Sequence, residues 1–399
     1  MVRHLERRGG RTWAVFCGGR HEQAQELATR GRVARKRHPS GCCWRPRVTR
    51  LVAVEKRVAG WKSRRDQGAA EVHQRLELSI YFIDSVCRGV FAGDCKKLSV
   101  RSCFPWLYMA EQQRGSLTLG FLLGSGSAPV IVPGHLAQRA KREAWAQWSL
   151  KRGVETLPES IAEFLQQSGK VELHRDAAVR QIIPTTSGWK WLYIFKPLRN
   201  CKLFSCTPLL PSALSCILPP SCQGLVQQLQ DISTVTVAVA SLEYEGSILP
   251  VTGFGHLVPS WEDPGLLGIV YDSVPFPQHN RQTGQTTRLT VMMGGAWFQN
   301  VFGAPQAVSA DSLLARATEA VCCHLGHCVA PSWSNVALHR DCIPQYHLGH
   351  FQRVDTMRAF IKDNNLLLSL IGSAYDGVSV NDVIFSGRTA VAELLGSGV

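Results

Sequence analysis

Leu366-Leu-Leu-Ser-Leu-Ile-Gly372 runs directly into Ser-Ala-Tyr-Asp-Gly377 and then Val-Ser-Val-Asn381-Asp382. The apolar run closed by a glycine predicts a buried strand over 366–371, and a closing helix is expected from about Asp382 with Asn381 as its N-cap. A strand that feeds a glycine turn and a helix N-terminus aims free amides and the positive end of the helix dipole at one point. An anion or an electron-rich ring edge is favoured there, and Gly377 lets such a ligand approach the backbone. Many α/β proteins carry the same order of elements without a ligand, so the stretch indicates a fold class, α/β, before it indicates a function.

Upstream, helices are predicted near 309–325 and 353–364. Strands are predicted at Thr234–Tyr244, Leu267–Tyr271 and Leu289–Met293, each bounded by Gly or Pro, so 185–310 reads as sheet-rich. Val171–His174 and Ala178–Ile183 also read as strands, whereas Trp189–Cys222 reads as irregular. Residues 130–170 have helical spacing at Ala140–Trp148 and Ile161–Gln167, with Pro158 where a helix can begin. Leu76, Leu78, Ile80, Tyr81 and Ile83 lead into a helix expected to end at Gly89 or Gly93. Residues 98–123 then carry an apolar and aromatic load that suits a greasy helical face or, more plainly, a core.

The chain has 399 residues and a formal charge of +14, but 19 Lys and Arg against 6 Asp and Glu fall in residues 1–75, which leaves the rest nearly neutral. That distribution speaks against a globular nucleic-acid binder, which would carry its basic stripe on the folded body. No apolar run is long enough to span a bilayer. Residues 1–75 read as an atypical basic arm or a presequence. Thr12–Cys17 before Gly18-Gly19 is a faint echo of a nucleotide-binding turn, but the third glycine is missing and Arg20 and His21 fill the place of a pyrophosphate. The 14 cysteines, without a signal peptide, are expected to be mostly reduced thiols. Cys322, Cys323, His324, His327 and Cys328 place His324 and Cys328 at i, i+4 on a helix. A buried helix end is favoured there over a metal site, because a second ligand pair is lacking.

Seven segments in order resemble the protoporphyrinogen oxidase family of the flavin amine-oxidase superfamily. They are Asp84-Ser-Val-Cys-Arg-Gly-Val-Phe-Ala-Gly93, Leu98-Ser-Val-Arg-Ser-Cys-Phe-Pro105, Trp148-Ser-Leu-Lys-Arg-Gly-Val-Glu-Thr-Leu-Pro158, Gly253-Phe-Gly-His-Leu-Val-Pro-Ser260, Gly268-Ile-Val-Tyr-Asp-Ser273, Cys342-Ile-Pro-Gln-Tyr346 and Gly377-Val-Ser-Val-Asn-Asp382. The resemblance covers about 76–399. It implies an α/β, amine-oxidase-like, FAD-binding two-domain flavoprotein with a mixed-sheet substrate domain and a helical membrane-associated subdomain. The implied division is 76–145 helical subdomain, 146–184 and 311–399 FAD-binding, and 185–310 substrate-binding.

The resemblance further implies oxidation of protoporphyrinogen IX by dioxygen in haem synthesis, a peripheral place on the mitochondrial inner membrane, and a homodimer. It assigns Val179, Leu338, Val378, Ser379 and Val380 to the cofactor. It assigns Phe254, Gly255, Leu257 and Met292 to the substrate pocket, with Arg88, Gly89 and Ala92 nearby. The residue types of Phe254, Leu257 and Met292 alone favour sheet core. No Ser-His-Asp or paired-carboxylate constellation is needed, and the sequence offers no convincing one. The chain departs from the family at 1–75, where a G-x-G-x-x-G turn is expected and absent, and at 189–204. The N-terminal nucleotide-binding unit therefore reads as missing. A second reading is a catalytically impaired splice variant that acts as a non-catalytic interaction protein.

Overall fold

The computed structural model describes residues 77–114, 135–143, 149–150, 152–169, 171, 173, 179–185, 188–193, 197–201, 203–206, 211–281, 284–366 and 368–394. The reading of the basic arm, the 12–17 strand with its glycine turn, most of the 171–174 strand and the end of the 98–123 segment lie outside the described residues.

Among the described residues the chain opens with α1 (Glu77–Phe91), α2 (Val100–Cys103), α3 (Pro105–Arg114) and α4 (His135–Arg142), followed by α5 (Thr156–Gln167). The first helix runs through Gly89 and stops at Phe91, because Ala92 turns to φ +50°. Strands β1 (Val179–Thr185), β2 (Gly188–Tyr193) and β3 (Pro197–Cys201) form an antiparallel sheet, and β4 (Leu203–Cys206) lies outside it. The expectation of irregular chain over Trp189–Cys222 is therefore corrected. Three strands, α6 (Pro211–Ile217) and the start of α7 (Gln223–Gln230), at Gln223, fill it or adjoin it. Antiparallel pairing of β2 with its chain neighbours, and parallel pairing of β4 with a strand far down the chain, overrode a composition mixed in Pro, Cys and basic residues.

Next come β5 (Thr234–Glu245), β6 (Gly255–Leu257), β7 (Leu266–Val270), β8 (Thr286–Gly295), α8 (Phe298–Phe302), α9 (Ala310–Leu325) and β9 (Trp333–Pro344). The five strands join in the order β6-β7-β8-β5-β9, and every pairing is antiparallel, so the expected mixed sheet is corrected. Strand β9 was not anticipated, because its edge position leaves it half-exposed without a clean apolar alternation. It carries the sheet past the expected limit at 310. A bulge sits at Asp341, whose φ is +48° and whose N–H donates to Thr236 Oγ1 at 3.1 Å.

Period-two alternation gives this sheet two apolar faces. Ala238, Ala240, Leu242, Val291 and Met293 face α9, where Leu313, Ala317 and Val321 cover them. Val237, Leu267 and Ala92 form the opposite cluster, with Val239 and Met292 half-buried beside them. Helix α9 is capped by Ser309, which accepts from Ser312 N–H, and ends at Gly326 in the left-handed region.

The chain closes with α10 (His350–Asp363), β10 (Leu368–Ile371) and α11 (Val380–Leu394). Strand β10 pairs in parallel with β4, far back in the chain, and packs over α7 and α10 through Leu225, Leu229, Val354 and Met357. This is the α/β unit expected from the closing sequence. Among the described residues no helix is long and apolar enough to cross a membrane.

Candidate functional site

Strand β10 ends at Ile371, and the 372–379 turn carries the chain into α11. Ser379, not Asn381, is the N-cap: its Oγ accepts from Asp382 N–H at 3.1 Å, while its own N–H and hydroxyl donate to Asp382 Oδ2 at 3.2 and 2.6 Å. This reciprocal capping box leaves Asn381 as an exposed first-turn residue. Gly377 has φ +152°, and a Cβ there would enter the Asp382 carboxylate, so only glycine fits the turn. Asp382 brings a negative charge to the helix N-terminus and offsets part of its dipole, which the anion argument from sequence left out.

Tyr346, a member of the quoted Cys342–Tyr346 segment with no role assigned from sequence, underpins the turn. Its hydroxyl accepts from Gly377 N–H at 2.9 Å and donates to the Ser373 carbonyl at 2.6 Å. Burial pushes that hydroxyl's pKa up, which keeps the donor proton in place. Gln345 beside it donates to the Phe91 carbonyl at 2.8 Å.

Of the residues assigned to the substrate, Gly89, Ala92, Leu257 and Met292 meet on the sheet face away from α9. Leu257 lies against Gly89, where an added Cβ would come within 2.5 Å of Leu257 Cδ2. Gly268 pairs with both Leu257 and Met292, and Met292 packs on the cluster that contains Ala92. The Ala92 carbonyl accepts from Ala296 N–H at 2.8 Å. Phe254 is 44% exposed just before β6, where its carbonyl accepts from Tyr271 N–H at 2.9 Å, and Gly255 starts β6 opposite Val270. Val237 and Val239 join this wall; their alternation in β5 was visible in sequence, but the face they take was not.

Arg88, expected near the pocket, is enclosed by backbone carbonyls of the 258–266 connection. It is fully buried; its Nε donates to Val258 O at 2.9 Å and its Nη2 to Asp263 O and Leu266 O at 2.8 Å. Burial lowers its pKa to about 10, still far above neutrality, so it remains a cation that clamps α1 to the β6–β7 connection.

The cofactor residues also divide. Val378 packs on the cluster of Phe91, Leu98, Phe104 and Tyr346, and Val380 is 48% exposed at the mouth of α11. Val179 borders the core of the β10 unit. Leu338 pairs with Ala238 and packs on the α9 face, opposite to Met292. Its contacts there are those of core.

A disulfide joins Cys322 to Cys328, which corrects the expectation that this pair is reduced and that Cys328 shares a helix face with His324. The helix ends at Leu325, and His324 instead stacks on His256, with Nδ1 3.2 Å from His256 Nε2. Among the described residues no group could hold a metal ion.

A parallel α/β unit with a strand, a glycine turn and a capped helix, beside an antiparallel sheet with an apolar face, is an arrangement that suits a cofactor-binding protein. The model of the flavin containing amine oxidoreductase family matches residues 7–395, and the chain belongs to that family. The match takes in most of the basic N-terminal stretch that the quoted motifs leave out. The chain is 43% identical over 321 residues to the protoporphyrinogen oxidase of Homo sapiens and 42% identical to that of Bos taurus, in each case across 80% of its own length. It spans 66% of the length of these relatives. The fold is also that of a solved structure from Exiguobacterium sp. 255-15, with TM-score 0.62 and 18% identity over 86% of this chain and 69% of that one.

Membership of that family makes FAD the cofactor, and the turn offers free amides and apolar side chains of the kind a flavin ring would use. The amides of Val380 and Asn381 open α11, where a helix has no internal acceptors, and Val378 and Val380 supply apolar contact beside them.

Proposed function

We propose that this chain oxidises protoporphyrinogen IX to protoporphyrin IX, with dioxygen as acceptor and FAD as the redox group, in haem synthesis. The observation that carries the reading is the continuity between the two halves of the site. Val378 of the flavin-facing turn and Phe91 of α1 pack in one cluster, and the next residue, Ala92, belongs to the wall with Met292. A large apolar macrocycle needs such a wall more than it needs charges.

FAD, when bound, supplies the hydride-accepting chemistry. Val378, Ser379 and Val380 would hold the edge of its ring. Leu257, Met292 and Phe254, with Ala92 at the base, would orient the macrocycle and exclude water. The 76–145 helices, with Trp106 and Met109 on the surface of α3, support peripheral contact with the mitochondrial inner membrane, and a homodimer accords with the family.

Residues 1–75 contain no G-x-G-x-x-G turn. Losing that cradle removes charge-assisted contacts worth roughly 1.5–3 kcal/mol each, which favours weak FAD binding. A visible spectrum of the purified chain during FAD titration, followed by a protoporphyrinogen turnover assay, tests the reading. A flavin spectrum and porphyrin fluorescence are expected. A chain that stays colourless at saturating FAD is instead the non-catalytic interaction protein.

A further inference from the structure

The structure ties the cofactor-facing turn to the substrate-side helix through one side chain. Tyr346 is 1% exposed. Its ring stacks on His350, with centroids 4.1 Å apart and planes 12° apart, and its far edge meets Phe91 at 6.1 Å. Its carbonyl accepts from Ser99 N–H at 2.8 Å, which holds α2 in place. Its hydroxyl spans the turn, taking the Gly377 N–H and giving its proton to the Ser373 carbonyl. A buried phenol satisfied on both sides costs little, whereas either backbone group left alone would carry a desolvation penalty. The same turn is held at its middle by His350 Nε2, which donates to the Tyr375 carbonyl at 3.2 Å, and by Arg358 on Asp376. Those two contacts restrain residues before the glycine. Tyr346 alone among these three binds Gly377, the residue from which Val378, Ser379 and Val380 take their direction.

We infer that Tyr346 is the positioning residue of the flavin site: its hydroxyl fixes Gly377 against Ser373, sets where Val378–Val380 point, and couples that setting to Phe91 and so to the pocket wall at Ala92. This rests on the flavin reading of the turn and deepens it.

The test uses the full chain and two variants, Tyr346→Phe, which removes the hydroxyl alone, and Val354→Ala, which weakens the β10 core in which Ala374 and Tyr375 also pack but leaves Tyr346 and both partners of its hydroxyl in place. Amide exchange of the 373–380 peptide is read without cofactor, and FAD affinity and the flavin absorption bands are read with it. In Tyr346→Phe the peptide should exchange at least tenfold faster and FAD affinity should fall about tenfold with shifted bands. Val354→Ala should leave the bands where they are. Site-specific 3-fluorotyrosine at 346 keeps ring and hydroxyl but weakens the oxygen as an acceptor; a two- to threefold rise in Gly377 exchange is expected, and this variant decides the matter if Tyr346→Phe does not fold. Wild-type exchange and bands in Tyr346→Phe, or equal shifts in Val354→Ala, would overturn the inference. A wild-type chain that takes up no FAD overturns the flavin reading, and the exchange comparison still decides whether Tyr346 sets the turn.

Discussion

Arg88 places its guanidinium carbon 4.1 Å from the centre of the Trp297 ring while its edge donates to the carbonyls of Val258, Asp263 and Leu266. A planar fork can serve several carbonyls and an aromatic face at once, which an ammonium cannot. Arg88→Lys keeps the charge but strands buried carbonyls, so it should cost about 2–4 kcal/mol of stability. Urea unfolding followed by tryptophan fluorescence checks this, and a change below about 0.5 kcal/mol would show that the clamp contributes nothing.

Gly295 and Gly89 should respond to alanine in opposite ways. At Gly295, with φ +64°, a Cβ would run into the Ala92 carbonyl oxygen, which already accepts from Ala296 N–H and cannot retreat. Gly295→Ala should therefore destabilise by about 2 kcal/mol or more. At Gly89 the obstacle is the end of the Leu257 side chain, and alanine inside a helix gains up to about 1 kcal/mol over glycine. Gly89→Ala should be near neutral in thermal unfolding yet reshape the pocket wall, visible as a raised KM for the porphyrinogen.

Acid should weaken the fold before the carboxylates titrate. Burial holds His350 at about 4, and burial followed by the neighbouring His324 holds His256 at about 3. Both are neutral in the folded chain and take up protons near pH 6.5 once unfolded, so the unfolded state binds more protons between those values. The stability they confer is complete above about pH 6.5 and is lost as the pH falls through 6.5 toward 4, at up to about 1.4 kcal/mol per pH unit for each ring. Unfolding at pH 7.5 and 5.5 should differ by about 2–3 kcal/mol. His350→Gln should remove roughly half of that difference, and an unchanged difference would show that His350 does not titrate as described.

How much of this could be read from the chain depends on the range of the contacts. The β5 and β8 alternation and the α9 caps are local, and their elements lie within one residue of the expected bounds for β5 and α9 and within three for β8. Strand β9 could not be found that way, because an edge strand is exposed and its partner Thr234–Glu243 lies about 100 residues away. Ser379 was passed over for Asn381 because both are good caps, and the choice depends on which one Asp382 can reach. Tyr346 stood in a quoted segment, but nothing local reveals that its hydroxyl meets Gly377, 31 residues later.

The Cys322–Cys328 bond closes a short loop after α9, with a sequence separation of 6. Chain-entropy arguments give such a closure about 2 kcal/mol. Cys328→Ser, or the wild-type chain in a dithiol, should lower the unfolding free energy by that amount. The exposed Cys323 should take up an alkylating label with or without reductant. Labelling of Cys322 and Cys328 before reduction would show that the bond is not formed.

Asp382 sets a limit on how far α11 can favour the reduced cofactor. Its carboxylate already sits at the helix N-terminus, held by the Ser379 amide and hydroxyl, so a second negative charge arriving on a bound flavin meets repulsion as well as the dipole. Asp382→Asn keeps an acceptor for Ser379 and removes the charge. The helix should lose about 0.5 kcal/mol of capping while the two-electron flavin potential rises by about 10–20 mV, because reduction then works against one less charge. Dye-equilibrated reductive titration reads the potential. A potential that does not rise would mean that the Asp382 charge is not felt by the ring and that the helix mouth faces elsewhere.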